Sequence, residues 1–392
     1  MNHPAPQELL AAVEAIAPEF VNIRHKIHAY PELAFEERLT SNLVAERLAA
    51  WGYKVHRGLG VTGVVGSLTK GSGSRSLGIR ADMDALPIHE KTGLDYASSI
   101  AGKMHACGHD GHTALLLCAA KYLAQADFNG TLNLIFQPAE EGGGGALHMV
   151  DGGLFEKFPC DEVYGLHITP GLPVGQMAIS PGPAMASADL VTVTLNGEGA
   201  HGARPQHGID PMACAASIVL GLQSIVTREL DALKSAVITV GSIQAGETYN
   251  VVPESAVLKI SVRTLESEVR DLIENRIREF VRAQARSYRL QCEIDYIRRY
   301  PVLVNHPPQT DYARQTAIRL LGADNVLERA PTMGSEDFAY MLEHRPGAYI
   351  RLGNGIGKDG GCMLHNPMFD FNDKALSIGA AFWAHLAQSY LV

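Results

Sequence analysis

The sequence has no run of lysines and arginines, and its 33 basic residues are outnumbered by 42 acidic ones, for a formal charge of −9. Such a balance repels a phosphate backbone and argues against nucleic acid as a partner. Paired cysteine spacings are also missing. Cys107, Cys118, Cys160, Cys214, Cys292 and Cys362 are scattered along 392 residues, which does not fit a disulfide framework. No apolar run approaches the roughly 18 residues of a membrane span. The opening stretch, MNHPAPQELLAAVEAIAPEF, is broken by prolines and acids; it predicts a cap followed by an amphipathic helix, not a secretion signal, so a cytoplasmic location and no membrane partner are expected. Internal repeats and low-complexity tracts are lacking as well. What remains is an ordinary globular composition, 46% hydrophobic and 19% charged, long enough for two or three domains.

Periodicity divides the chain. Helical spacing at Glu8 to His28 and Glu36 to Trp51 is followed by strands at Val64 to Leu68 and Leu77 to Asp82, a helix at His112 to Gln125, and strands at Thr131 to Gln137 and Glu162 to His167. This alternation predicts an α/β layer. From Leu190 the order becomes strand, helix (Asp210 to Glu229), strand, strand, helix (Glu266 to Tyr288), strand, which is the ferredoxin-like βαββαβ pattern. The α/β texture resumes after Pro301, with helices at Asp311 to Leu321 and Lys374 to Tyr390 and a strand near Tyr349 to Leu352. The expected organisation is one α/β domain of residues 1–186 and 303–392, with a second domain of residues 187–302 inserted in it. The arginines of the second helix of that insertion, EVRDLIENRIREFVRAQARSY, have acidic neighbours at helical spacing and are expected to form a solvated face.

Four motifs concentrate metal-binding side chains: MHACGHDGH (Met104 to His112), QPAEEGGGG (Gln137 to Gly145), GLHITPG (Gly165 to Gly171) and LHNPMFDFND (Leu364 to Asp373). At least two directly follow expected strands, and ligands in open α/β sheets collect at the carboxyl ends of strands. Cys107, His109, Glu141, His167 and His365 offer thiolate, imidazole and carboxylate, a set suited to zinc, manganese, cobalt or nickel. Five ligands exceed the needs of one catalytic ion and point to two, with a thiolate or water shared. Taken singly, each of these residues reads more readily as an ordinary core or hydrogen-bonded side chain than as a ligand.

The ordered series RHKIHAYPELAFEE, GIRADMDALPIHE, MHACGHDGHTALLL, FQPAEEGGGGA, GLHITPGLPVG, AHGARPQHGIDP, ETYNVVPESAVLKISVRTL, MGSEDFAYML and LHNPMFDFND resembles the di-metal amidohydrolase family of hippurate hydrolases, N-acyl-amino-acid hydrolases and indole-acetyl-amino-acid hydrolases. The resemblance spans nearly the whole chain. It implies a zinc-exopeptidase-like catalytic domain with the inserted lid, two divalent metal ions (Mn2+, Zn2+, Co2+ or Ni2+) per subunit, a small N-acyl amino acid substrate, and a homodimer or higher homo-oligomer. It also implies that Cys107, His109, Glu141, His167 and His365 are the metal ligands, with Cys107 bridging, and that Glu140 is the general base. More distant relatives carry a His-x-Asp motif where this chain has Asp82, Met83 and Asp84, so His109 substitutes for that histidine. Asp84 then either orients a ligand or caps the turn before Pro87.

His105, Asp110 and His112 are open to two readings, partners of the ligands or local hydrogen bonds. In the lid, the resemblance implies that His201 stabilises the oxyanion while Asn250 and Arg263 hold the substrate's carboxylate. Without it, Arg263 reads as a strand ion pair and Asn250 as a turn residue. Ser335 lacks the Gly-x-Ser-x-Gly context of a nucleophile, and Glu336 is expected to support the site or cap the next helix. Amide hydrolysis of N-acyl amino acids is the expected activity, with dipeptidase or carboxypeptidase action as the alternative.

Overall fold

A computed structural model describes residues 4–392. It has two compact units: one takes the chain up to Gly182, Val304–Ala330 and Asp337–Val392, the other Pro183–Leu303 and Pro331–Glu336.

The first unit opens with helices α1 (Pro6–Ala29) and α2 (Arg38–Ala50) and continues with strands β1 (Lys54–Leu59), β2 (Gly63–Lys70) and β3 (Ser76–Asp82), helix α3 (His109–Gln125), and strands β4 (Gly130–Gln137) and β5 (Glu162–Pro170). Its eight-stranded sheet runs β1, β2, β4, β3, β5, Gly347–Gly355, Met177–Ala178, Val326–Leu327. β1 escaped the sequence reading because KVHRGL is mostly exposed and lacks apolar alternation. β4, β3, β5 and Gly347–Gly355 are mutually parallel, so their carboxyl ends share one edge. All seven residues of β3 are buried, as expected for a parallel strand covered on both faces. That burial includes Arg80 and Asp82, which must therefore be paired. Arg80 Nη1 donates to Asp82 Oδ2 at 2.7 Å, and Arg80 Nε to Gln137 Oε1 at 2.7 Å.

Helix α3 begins where Gly108 takes φ +88°, a turn that suits glycine, and thirteen of its seventeen residues are buried. Helices buried nearly all round belong to the core, and here Cys118 is buried with Leu115, Leu116, Leu117 and Ala119 as part of the same hydrophobic cluster. Polar residues of its first turn find polar partners. Arg24 of α1 donates from Nε to Asp110 Oδ2 at 2.8 Å and also pairs with Asp370 and Asp373. His28 sets Nδ1 2.8 Å from Asp110 Oδ2 and Nε2 3.3 Å from Glu90 Oε1.

The second unit holds a four-stranded antiparallel sheet in the order Ala236–Ala245, Ser255–Thr264, Asp189–Asn196, Gln291–Arg298, with helices Pro211–Ser224 and Ser267–Ser287 in the ferredoxin-like sequence of elements. The first helix is more apolar than the sequence reading allowed. Pro211–Glu229 contains an 18-residue window of mean hydropathy 1.2, enough by length and composition alone to cross a membrane. Within the fold its Cys214, Ala215, Ile218 and Leu222 join the core under Val191, Val193 and Leu258. In the second helix Val269, Ile273, Ile277, Val281 and Ala285 recur every four residues and form the buried stripe. Arg276 and Arg278 meet acids on the partly exposed face, Arg278 Nε donating to Glu274 at 2.9 Å, but Arg270 departs from the expected solvated face: it is buried and its Nε donates to buried Asp189 Oδ1 at 3.0 Å.

The His28 network makes stability depend on pH. Burial disfavours a charged His28 ring, but Asp110 and Glu90, which face its two nitrogens, outweigh burial and the nearby Arg24 and raise its pKa to about 9. A raised histidine contributes stability that is fully present below its ordinary value near 6.5 and is lost as pH rises through about 9. The Tm difference between wild type and His28→Gln is therefore expected to be widest near pH 6 and to shrink toward pH 10. A difference that does not change with pH would contradict a charged His28.

Candidate active site

The carboxyl edge of the parallel strands gathers the predicted residues of the first unit. Asp82 ends β3 and Asp84 follows it; Glu140 and Glu141 follow β4; His167 lies in the last half of β5. Cys107 and His109 flank Gly108 at the start of α3, and Thr113 Oγ1 donates to the Asp82 carbonyl at 2.9 Å, tying α3 to the end of β3. His365 comes from a loop in which its own φ is +64°, and its N–H donates to the Ala106 carbonyl at 2.8 Å, beside Cys107.

Donor atoms of Cys107, His109 and His167 lie within 4.8 Å of one another, and so do those of Cys107, Glu141 and His365. Cys107 belongs to both groups. Its Sγ is 3.3 Å from His167 Nε2, while Glu141 Oε1 is 3.0 Å from His365 Nε2. Glu140 joins a further group with His109 and Glu141.

Hydrogen bonds at the second ring nitrogen set which atom each histidine offers. His167 Nδ1 donates to the Ile168 carbonyl at 2.6 Å, which directs Nε2 toward Cys107. His109 Nδ1 is 3.1 Å from Asp84 Oδ1, and its buried Nε2 makes no hydrogen bond. His112 differs. The Ile168 N–H donates to His112 Nε2 at 3.0 Å, so Nε2 accepts and Nδ1 donates to Asp82 Oδ1 at 2.6 Å. Both nitrogens are engaged, which makes His112 a positioning group between β3 and β5. Asp110 faces Arg24 and His28, and both nitrogens of buried His105 lack a hydrogen bond.

Asp84 makes a second contact: its Oδ2 accepts the Glu141 N–H at 2.9 Å. Together with the bond to His109 this favours an orienting carboxylate over a turn cap. Negative charge dominates the pocket. Burial pushes the Cys107 thiol well above its ordinary range, and Glu141, Glu140 and Asp82 push it further. Burial also opposes a charged His109, yet Asp82 and Asp84 outweigh it and raise its pKa to about 10. A field that holds a proton this firmly equally favours a cation in its place. The soft and borderline donors, a His109 Nε2 that makes no hydrogen bond and lies 3.7 Å from Asp82 Oδ2, and the surplus negative charge fit divalent metal ions.

In the second unit, His201 and Asn250 are exposed neighbours. His201 pairs with Val251 across a two-residue bridge, and the Gly202 N–H donates to the Asn250 carbonyl at 2.6 Å. A Cβ at Gly202 would come within 2.9 Å of the Asn250 carbonyl carbon, which is why this approach needs glycine. Arg263 lies at the other end of Ser255–Thr264, roughly 25 Å along the strand at about 3.3 Å per residue, where its Nη1 donates to Ser335 Oγ at 2.6 Å. One copy of this sheet does not bring the three lid residues together. The helix after Glu336 begins at Ala339 without a side-chain cap, so Glu336 is not its cap.

Sequence reading missed three buried polar residues of the first unit. Asp337 accepts from Gln137 Nε2 at 2.7 Å and from the Ala146 N–H at 2.9 Å, Arg80 links Asp82 to Gln137, and Glu37 accepts the Ala139 N–H at 2.8 Å. A charged residue within an otherwise apolar strand, GIRAD, was the available signal for Arg80; the other two stand in motifs whose partners lie far away in sequence.

Residues 78–389 match the family model described as Peptidase family M20/M25/M40. The hippurate hydrolase of Campylobacter jejuni is 43% identical over 384 residues, covering 98% of this chain and 99% of that protein. An N-acetyl-L-cysteine deacetylase of Bacillus subtilis is 37% identical over 97% of this chain and 90% of its own length. Among solved structures, a Bacillus subtilis protein described as a dinuclear metal binding peptidase superposes with a TM-score of 0.84 at 32% identity, covering 96% of this chain and 99% of that one. The ferredoxin-like insertion, the parallel sheet edge with its clustered donors, and these full-length likenesses have one reading: the chain is an amide-bond hydrolase belonging to peptidase family M20/M25/M40.

Proposed function

We propose that the chain cleaves the amide of N-acyl amino acids, of the hippurate and N-acetyl type, to a carboxylic acid and a free amino acid. The observation that carries this reading is the sharing of Cys107 between two donor groups beside Glu140, in a chain of this family. Cys107, His109, Glu141, His167 and His365 would hold two divalent ions, Mn2+, Zn2+, Co2+ or Ni2+, with Cys107 between them. When bound, such ions polarise a carbonyl and lower the pKa of a water. Glu140 would take a proton from the attacking water on a carboxylate oxygen and deliver it to the leaving nitrogen. Asp84 holds His109 by its ring and Glu141 by its backbone N–H, so one carboxylate orients two ligands.

The catalytic chemistry is assigned to residues 1–186 and 303–392, and substrate recognition to residues 187–302. There Arg263 grips the substrate carboxylate with two parallel hydrogen bonds, Asn250 adds a donor, and His201 stabilises the oxyanion. The separation of Arg263 from His201 and Asn250 supports a homodimer or higher homo-oligomer, since one copy of the sheet cannot set both ends against one small substrate.

Two neighbours separate the roles. Glu140→Gln keeps size and shape and removes the base, so its metal content is expected to match wild type while kcat on hippurate falls by about 10²-fold to 10⁴-fold. Glu141→Gln is expected to lose or weaken an ion. Metal analysis beside single-turnover kinetics decides, and metal loss in the first variant with pure rate loss in the second would reverse the assignments. Asp84→Asn turns an amide donor toward either His109 Nδ1 or the Glu141 N–H, and its metal affinity is expected to drop by about 10- to 100-fold. Unchanged affinity in a chelator competition would remove Asp84 from the account. Faster turnover of dipeptides than of acyl amino acids across a substrate panel would favour the peptidase alternative.

A further inference from the structure

The loop that carries Glu140 and Glu141 is held by buried carboxylates. Asp84 Oδ2 accepts the Glu141 N–H and Asp337 Oδ2 the Ala146 N–H, each at 2.9 Å. The third is Glu37, fully buried, whose Oε1 accepts the Ala139 N–H at 2.8 Å and whose Oε2 accepts the Thr62 hydroxyl at 2.5 Å. Glu37 is 102 residues from Ala139 in sequence, and nothing in the reaction described above uses it.

Ala139 is the residue that needs holding. Its φ is +55°, a left-handed conformation in which a Cβ crowds the following carbonyl oxygen and which residues other than glycine seldom adopt. The left-handed turn folds the chain back, so the Ala139 carbonyl accepts the Gly145 N–H at 3.0 Å. The fit there is close: a Cβ at Gly145 would stand 1.7 Å from the Pro138 carbonyl oxygen, so the fold-back needs glycine at that position. The segments that meet Ala139 at this carboxylate carry strain too. Phe35, two residues before Glu37, has φ +65°, and Val61, just before Thr62, has φ +77°. Three of the five non-glycine residues with positive φ among the described residues thus flank one side chain, and His365, a proposed ligand, is a fourth. Strain of this kind persists only where its surroundings over-determine it.

Resting on the assignment of Glu140 as base and Glu141 as ligand, we propose that Glu37 is a positioning residue: its buried carboxylate pins Ala139 in the left-handed conformation and thereby aims the two following side chains in their different directions. If Ala139 relaxes to a right-handed conformation, the Cα–Cβ bonds of Glu140 and Glu141 swing together. Misplacement of a reacting group by about 1 Å can cost about 10²-fold in rate. What the role demands is an acceptor at Oε1. Burial already raises the Glu37 carboxyl to about 7, so an uncharged amide of the same shape can serve.

The test uses the full chain, stripped of metal and titrated with Co2+ against a chelator, together with steady-state hydrolysis of hippurate after reloading. Glu37→Ala is expected to weaken Co2+ binding and to lower kcat by about 10²-fold with a smaller change in KM. Glu37→Gln recovers most of both. Glycine adopts the left-handed region freely, so adding Ala139→Gly to Glu37→Ala should return roughly fivefold or more of the lost kcat. A merely structural loss would not be repaired by a second substitution to glycine, the residue that most loosens a chain. If Glu37→Ala folds with wild-type Co2+ affinity and kcat, or if Ala139→Gly gives no recovery, the proposal fails. Should Glu37→Ala not fold, Thr62→Val removes the other partner of the carboxylate: a several-fold drop in kcat that Ala139→Gly reverses supports the proposal, and an unchanged kcat overturns it. Glu140→Gln, assayed in parallel, separates the two readings. Wild-type turnover in that variant would sink the base assignment itself, whereas its inactivity beside an unaffected Glu37→Ala sinks only the role of Glu37.

Discussion

Negative charge buried at one sheet edge is the constraint to which the first unit answers. Asp82, Asp84, Glu140 and the Cys107 thiol are all nearly shielded from water, and Glu141 stands beside them. Isolated buried anions are too costly to persist, so each must be paired, hydrogen-bonded or offered to a cation. Asp82 has Arg80 and His112, and Asp84 has His109 and the Glu141 N–H. Cys107, Glu141 and the outward nitrogens of His109, His167 and His365 are what remains, and these are the groups assigned to the ions. Asp84, satisfied by protein, thus aims donors that otherwise meet chiefly one another.

The fold supplies the edge and its rigidity. Parallel pairing of β3, β4 and β5 brings Asp82, Gln137 and the end of β5 into line, and burial of β3 on both faces fixes their register. α3 is locked from behind by Arg24 and His28 on Asp110, adjacent to His109 in the chain. Both ends of the apparatus therefore rest on buried ion pairs, whose loss would leave unpaired charge in the core.

Much of this was legible from sequence where the signal was local. MHACGHDGH and QPAEEGGGG place chemistry-bearing residues within a few positions of each other, and helical or alternating apolar spacing marks α1, α3 and both helices of the ferredoxin-like unit. What was not legible depended on distance. Glu37 meets Ala139 over 102 residues and Asp337 meets Gln137 over 200, so neither stands out within its own motif. Arg24 reaches Asp373 over 349 residues, and the sequence reading noticed RHKIHAYPELAFEE only as part of a resemblance. The three lid residues were grouped by motif, but strand geometry puts Arg263 at the opposite end from His201 and Asn250, a separation that no spacing rule encodes. Pro211–Glu229 has no long continuous apolar run, since Gln and Gly interrupt it, yet its mean hydropathy is high.

The central claim is that Cys107 is a thiolate shared by two ions. Titration of the metal-stripped chain with Co2+, followed together by the thiolate-to-cobalt charge-transfer absorption and by metal analysis, tests it most directly. The account predicts that the absorption grows through two equivalents per chain and disappears in Cys107→Ser. A chain that fills with a single equivalent, or that binds two with no thiolate band, would contradict it.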